Sequence, residues 1–447
     1  MRRSDQRPEV KAPPRWRFPD PARLWLDNGM ELMACHREGQ HVAAVSLVFD
    51  VPLNVEGVDI EGVATITQRC LDEGTRTHPG TAFAERLEDI GAVLGGSAGY
   101  AGSELSLEVP ADRLGESLAL LAEAVREPEL AADDVARHRT LRLAEIEQAM
   151  ANSAHRAAIG FRSAVIGGRY RASRMPGGEA RTVAAVTTED VVAFHGRHYR
   201  PDAATLIISG DLTGQEFGQA ATAFGDWANP AEGYFSHEVP QGVAPRCLLI
   251  DRPGAVQADV RLGSFGIDRG DPRWADLQVA THALGGAFLS RLNKVLREEK
   301  GFTYGAHLVN SPMRDGGLIA VQGSFRTEVV PEAVSLARGL LDLSSRPITG
   351  QEVAAAVSYT NGVAPLRYST AQGITDRISA LVRDGVNVEF VNANFQALTL
   401  VTPESATQSI LELLPPDRLT LVVVGDAAAL EAPLAADGWP VEVVSAP

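Results

Sequence analysis

Pro201-Asp202-Ala-Ala-Thr205-Leu206-Ile-Ile-Ser-Gly210-Asp211 returns later in the chain as Pro416-Asp417-Arg-Leu-Thr420-Leu421-Val-Val-Val-Gly425-Asp426. Six positions are identical at a single offset of 215 residues, and both copies have an apolar centre. Upstream, Ala111-Asp112-Arg-Leu114-Gly-Glu116-Ser-Leu118 faces Thr327-Glu328-Val-Val330-Pro-Glu332-Ala-Val334 at an offset of 216, and 128–135 faces 347–353. Several matched segments in one order at nearly one spacing mark an internal duplication. The 447-residue chain therefore reads as two related halves. Pro, Gly and polar residues cluster at the seam. The expected layout is a flexible N-terminal extension over 1–20, a first domain over 21–228, a linker over 229–246 and a second domain over 247–447.

Within each half the pattern is α+β. Residues 23–49 read as two strands around the turn Asp27-Asn28-Gly29, a strong hairpin signal. Residues 114–125 have apolar positions at helical spacing after a capping-type Asp112, and 135–150 read as another helix. Thr187-Thr-Glu-Asp190 has the composition of a helix start, and that helix should end before Pro201. The apolar run 206–209 is then a strand buried on both faces or packed under helices. Two homologous α+β sandwich domains are expected, each a mostly antiparallel sheet with helices packed on one side.

Bulk composition narrows the function classes. Hydrophobic residues make up 45% and charged residues 22%, as in soluble globular proteins. A net charge of −16 argues against nucleic-acid and anionic-membrane partners. No apolar run reaches the roughly 20 residues that span a bilayer. The polar, Arg- and Pro-rich start does not resemble a secretion signal. Three distant cysteines, Cys35, Cys70 and Cys247, do not form a disulfide framework or a zinc ribbon. The expected compartment is the cytoplasm.

The segment Gly62-Val-Ala-Thr65-Ile66-Thr67-Gln68-Arg69-Cys70-Leu71-Asp72-Glu73-Gly74-Thr75 resembles the zinc helix of the insulinase/pitrilysin family of inverzincin peptidases, which includes the mitochondrial processing peptidases. In that family the helix reads Gly-x-Ala-His-x-x-Glu-His, followed by a Gly-Thr pair. Two His four residues apart leave one helix face toward the metal, and the Glu polarises metal-bound water. Here the two His positions hold Thr65 and Arg69, and the Glu position holds Gln68. Gln68 cannot accept a proton, and the Arg69 guanidinium stays charged and cannot ligate. No metal is therefore expected in this chain. The family's third ligand is a Glu some 75 residues on, and Leu141-Arg-Leu143-Ala144-Glu145 matches it. A carboxylate left there without a counter-charge would be costly, so Arg69 is expected to take the metal's place and pair with Glu145. The alternative is that Glu145 is a solvated helix residue.

Gly285-Gly286-Ala-Phe-Leu-Ser290-Arg291-Leu292, followed by Leu296-Arg297-Glu298-Glu299-Lys300-Gly301-Phe302-Thr303-Tyr304, resembles the family's C-terminal-domain signature. There an Arg and a Tyr seven residues apart hydrogen-bond peptide substrate near the zinc of the other half, and Arg297 and Tyr304 match without departure. A cation and a phenol hydroxyl can hold a scissile carbonyl and stabilise the developing oxyanion. The plain alternatives are a solvated Arg297, a Tyr304 packed in the core, and a glycine pair that ends a helix or permits close packing. By the resemblance, Gly285 and Gly286 belong to a substrate-handling loop. His195-Gly-Arg-His198 lies in a segment resembling an ordinary structural part of the family, so a metal role is not expected. Cys70 reads as a small buried residue, and no Gly-x-Ser-x-Gly elbow is present.

The resemblance spans roughly 23–444 and implies a pseudoenzyme, the non-metal-binding subunit of a heterodimeric zinc metalloendopeptidase. Inactive alone, it would supply Arg297 and Tyr304 in trans to a homologous partner carrying the zinc and an intact His-x-x-Glu-His motif, with a peptide as substrate. Two alternatives stand beside it: an inert scaffold or assembly protein of the same fold, and a peptide-binding homodimer.

Overall fold

The protein is described by a computed structural model over residues 16–229 and 235–445. Strands β1 (Ala22–Trp25), β2 (Glu31–His36), β3 (Val42–Phe49), β4 (Val93–Gly99), β5 (Gly102–Pro110) and β6 (Ala204–Gly210) form one sheet in the order β1-β2-β6-β3-β5-β4. Strands β7 (Cys247–Asp251), β8 (Gln257–Gly266), β9 (Ala306–Pro312), β10 (Gly317–Arg326), β11 (Thr420–Gly425) and β12 (Val441–Val444) form the second, in the order β12-β7-β11-β8-β10-β9. Five strands correspond one to one. β6 and β11, the duplicated segments, each lie parallel to the first of the five and antiparallel to the second. The sixth strand differs: β1 precedes its sheet and runs antiparallel to β2, whereas β12 follows and runs parallel to β7.

The hairpin at Asp27-Asn28-Gly29 forms, with Gly29 at φ +90° and the Met30 N–H donating to Asn28 Oδ1 at 3.2 Å. Residues 23–49 hold three strands rather than two. A further turn, with Gly39 at φ +78° and the Gln40 N–H bonded to the Arg37 carbonyl, separates β2 from β3. β6 then inserts between them.

The helices follow the expected periodicity: Leu114–Arg126, Ala132–Ala151 and Thr188–His198. Thr187 and Asp190 cap the last reciprocally, each accepting the other's backbone N–H. Asp112 does not cap Leu114–Arg126. It sits inside a 3₁₀ turn, Ala111–Arg113, which carries the chain from β5 into the helix. The second half repeats this turn at Thr327–Val329, before the helix Val330–Leu341.

Each half packs its own helices on one face of its sheet. Leu206 and Ile208 of β6 enter the first core, and Leu421 and Val423 of β11 enter the second. The opposite faces are closed by exchange. Helix Ala371–Arg383 of the second half lays Ile374, Ile378 and Leu381 on Met33, Val48 and Ile207 of the first sheet. Helix Ser153–Val165 of the first half lays Ala157, Phe161 and Ala164 on Ile250, Val422 and Val424 of the second. Gly160 makes that approach possible, since a Cβ there would meet Ile250 Cδ1 at 2.8 Å. A fully buried aliphatic side chain contributes about 1.5–3 kcal/mol, so each exchanged helix ties the halves strongly.

The expected extension 1–20 lies outside the described residues as far as position 15. Its last part is packed: Phe18 is buried, its backbone bracketed by the Asn392 amide at 2.9 and 3.0 Å, and Trp16 stacks on Tyr368. Of the expected linker, 230–234 lie outside the described residues. Ser236, His237 and Glu238 bond to Asn54, Asp50 and the Arg171 N–H of the first half. Among the described residues no helix is long and apolar enough to cross a membrane.

Candidate functional site

The short helix Val63–Arg69 starts at Gly62, whose φ of +105° and contact with the Gly177 carbonyl leave no room for a side chain. Its first N–H groups are satisfied by a buried carboxylate: Glu56 Oε1 accepts from Gly62 at 2.9 Å and Ala64 at 3.0 Å. Glu56 is neutralised in turn by Arg171, at 2.8 Å. Burial pushes the Glu56 pKa up, against the pull of Arg171 and the two N–H donors.

At the other end of this helix Arg69 reaches Glu145 of Ala132–Ala151. Nη1 donates to Oε1 and Nη2 to Oε2, both at 2.9 Å, a two-pronged charge-assisted contact. Arg142, one turn before Glu145, adds Nη1 to Oε2 at 3.1 Å and anchors its Nε on the Gly177 carbonyl at 3.0 Å. The Arg69 hydrogen bond, helped by Arg142 and opposed by burial, holds the Glu145 carboxyl below its ordinary pKa. Arg142 was not anticipated as part of this group. Its signal was its i−3 position relative to Glu145 on a helix.

Thr65 and Gln68 are buried on the same helix. Thr65 Oγ1 has no hydrogen-bond partner among the described residues, and the Gln68 amide lies against β4, where a Cβ on Gly96 would fall 2.3 Å from its Nε2. These residues do not fit zinc. A hydroxyl, an amide and a guanidinium occupy the ligand and base positions, and the one carboxylate is committed to two arginines. Among the described residues no group of three His, Cys, Asp or Glu side chains could hold a metal ion.

In the second half, helix Trp274–Thr281 runs into a π-helical segment, His282–Gly286, and a second one follows at Asn293–Glu299. Such wide turns recur at functional sites. Gly285 is buried, and a Cβ on it would collide with the Leu308 N–H of β9, so its role in the fold is close packing; Gly286 is exposed. The loop between the segments presents Phe288 and Leu289 to solvent, 76% and 71% exposed. Arg297 folds back onto that loop, with its guanidinium 3.9 Å above the Phe288 ring, Nη2 donating to the Phe288 carbonyl at 2.9 Å and Nε to Glu298 at 2.7 Å. Sequence reading missed Phe288, which carried no signal beyond its place beside Gly286. Tyr304 is 99% exposed, projected from a turn that Thr303 Oγ1 closes on Gly305. The core-packing alternative for Tyr304 is therefore excluded. No hydrogen bond or ion pair among the described residues joins Arg297 or Tyr304 to Arg69 or Glu145.

The remaining candidates are structural. His195 Nε2 donates to the Val125 carbonyl at 2.9 Å, while His198 packs between Phe194 and Phe235. Burial, with Arg197 and Arg200, pulls His198 down to about 4. Cys70 is buried and its thiol is pushed up to about 12, chiefly by burial and then by Asp134, which makes it inert.

Residues 32–168 match the family described as insulinase (peptidase family M16), and residues 185–359 match the peptidase M16 inactive domain. An uncharacterized zinc protease of Mycobacterium tuberculosis is 26% identical over 375 residues, covering 82% of this chain and 83% of the relative. One from Mycobacterium leprae is 26% identical over 425 residues, covering 88% and 93%. A peptidase M16 inactive domain from Pseudomonas fluorescens superposes with a TM-score of 0.83 at 22% identity, covering 91% of this chain and 98% of that one. A protease from Helicobacter pylori superposes at 0.83 and 17%, covering 92% and 100%. A chain of complex III2 from Candida albicans reaches 0.76 at 14%, covering 90% and 95%. Matched by the insulinase domain over 32–168 and by the inactive domain over 185–359, this chain belongs to the insulinase-type, M16 peptidase family.

Proposed function

We propose that this chain is the non-metal subunit of a cytoplasmic heterodimeric zinc metalloendopeptidase. Its partner would be a homologous chain with an intact His-x-x-Glu-His motif, and the zinc would reside there. The observation that carries this reading is the Arg69 fork on Glu145: a cation of the side chain's own stands beside the carboxylate that would otherwise face a metal. Arg297 and Tyr304 would then act in trans on a peptide carbonyl, a phenol and a guanidinium holding the oxygen on which charge develops. Gly285 and Gly286 would shape the loop that lines the substrate chamber. The full exposure of Tyr304 and the exposed Phe288–Leu289 pair support a surface that a substrate or partner covers.

The test is reconstitution. Mixing the chain with a zinc-bearing homologue should produce cleavage of a fluorogenic peptide that neither gives alone. Arg297→Ala or Tyr304→Phe should then lower turnover by about 10²-fold, the size of effect seen when one oxyanion donor is lost. Unchanged turnover in both variants would remove the assigned role.

A second reading, an inert scaffold, is favoured by the folding of Arg297 onto its own loop and by the fold likeness to a chain of complex III2. It predicts a stable assembly without cleavage under the same mixing conditions. A peptide-binding homodimer would instead self-associate and retain the peptide uncut.

A further inference from the structure

A cavity of 320 Å³ lies where the two halves meet, apart from the candidate site residues. None of Thr65, Gln68, Arg69, Glu145, Arg297 and Tyr304 lines it. Its walls come from three places: Leu53, Tyr100 and Arg162 of the first half, Pro240 of the connecting segment, and Met313 and Ala380 of the second half. Ligand sites of this size favour such boundaries, with an apolar lining and a few fixed polar groups.

Arg162 is the distinctive polar group. The other four lining arginines are paired with carboxylates: Arg171 with Glu56, Arg269 with Asp384, Arg314 with Asp50 and Arg383 with Glu104. Arg162 has no carboxylate partner among the described residues. Its Nη1 donates to the Ala172 carbonyl at 2.8 Å and touches Met313 Sδ at 3.4 Å, and its guanidinium lies 4.3 Å from the Tyr100 ring centre. Nε and Nη2 have no protein acceptor among the described residues. Burial lowers its pKa, yet a guanidinium remains a cation at any physiological pH. One edge of a planar fork, set against an aromatic face and held from behind by a carbonyl, matches the two oxygens of a carboxylate.

The rest of the lining narrows the ligand. Glu238 and Asp315 also face the cavity, and neither is ion-paired among the described residues. Repulsion from these two carboxylates grows with the charge of the ligand, so it disfavours a phosphate or any polyanion more than a monoanion paired with Arg162. Leu53, Pro240 and Met313 suit an apolar body. We propose that this cavity binds a small organic monocarboxylate with an apolar body, its carboxylate on Arg162, bridging the two halves.

Isothermal titration calorimetry with N-acetyl-leucine tests this on the full chain. The acid should bind saturably, at least about tenfold more tightly than N-acetyl-leucinamide or inorganic phosphate, the discrimination expected for a charge-assisted pair. It should also raise the thermal midpoint, because it binds only the folded chain. Arg162→Met should weaken binding by about tenfold or more. Ala380→Leu, which fills the cavity and leaves the guanidinium in place, should abolish binding and decides the matter if Arg162→Met fails to fold. No saturable binding, equal affinity for acid and amide, phosphate binding as tightly as the acid, or undiminished binding in Ala380→Leu would each overturn the proposal.

Discussion

Replacing Glu145 with Gln should destabilise the chain more than replacing Arg69 with Met, although both remove the same ion pair. Glu145 serves two guanidiniums, Arg69 through two bonds of 2.9 Å and Arg142 through one of 3.1 Å. Arg69→Met leaves the carboxylate still paired with Arg142, whereas Glu145→Gln leaves two cations facing one another. The Arg69 and Glu145 side chains are 28% and 43% exposed, so water screens the pair and holds its coupling to about 1 kcal/mol, the upper end for solvated pairs because the contact is two-pronged. Arg69→Met should therefore cost about 1 kcal/mol, and Glu145→Gln about 2 kcal/mol through the second lost bond and the added repulsion. The double variant should fall short of the sum by about 1 kcal/mol. The pH dependence has a definite sign. Arg69 holds the Glu145 pKa below its ordinary value. The stabilisation is thus complete above the unfolded-state pKa of about 4.3 and is lost as pH falls through the folded one. Urea unfolding followed by circular dichroism, run as a double-mutant cycle at pH 7 and again below about pH 4, measures all of this. Additive single effects at pH 7, or a milder Glu145→Gln, would refute the shared-carboxylate account.

Three further outcomes are expected of the same fold. Ile378→Ala, which empties a fully buried position on an exchanged helix, should cost about 2–5 kcal/mol and lower the urea midpoint of both halves together; separate transitions would show that the exchange does not couple them. Burial pushes Cys35, Cys70 and Cys247 up to about 12, so thiol titration at about pH 8 should find none reactive in the native chain and all three after denaturation. Grafting Thr65→His, Gln68→Glu and Arg69→His together should create stoichiometric zinc binding with Glu145 as third ligand, measurable by metal analysis after dialysis, and adding Glu145→Gln should remove it.

The duplication was legible because β6 and β11 are buried on both faces, which forces a continuous apolar run that shows in the residues themselves. Helix positions were legible for the same reason, through their 3.6-residue spacing. The partner of each face was not. Ile374, Ile378 and Leu381 announce an amphipathic helix, but nothing in their spacing says that the sheet they cover belongs to the other half. Strand neighbours were equally hidden, since the nearly continuous apolar runs of β2 and β3 report burial on both faces and are silent about β6 lying between them. At the site, the pairing of Arg69 with Glu145 was expected from the resemblance, which marked both positions, together with the cost of leaving a carboxylate without a counter-charge; nothing in the spacing of two separate helices announces it. The attachment of Arg297 to Phe288 and the exposure of Tyr304 depend on π-turns and loop geometry, which residue types do not encode.

If, as proposed, Arg69 stands where a ligand of the metal would be, position 69 separates two tasks that a metal performs in such a site. One is chemistry, and it needs an acceptor at position 68 and ligands at 65 and 69; Gln68, Thr65 and Arg69 supply none of these. The other is neutralisation of a carboxylate that the fold carries between two packed helices, and a guanidinium performs it directly at 2.9 Å. Without Arg69 the half-buried carboxylate would keep only water and the single Arg142 contact at 3.1 Å as partners. Arg69 supplies the two shorter bonds, and on the proposed reading that gives Glu145 a physical reason to be kept where no metal is bound.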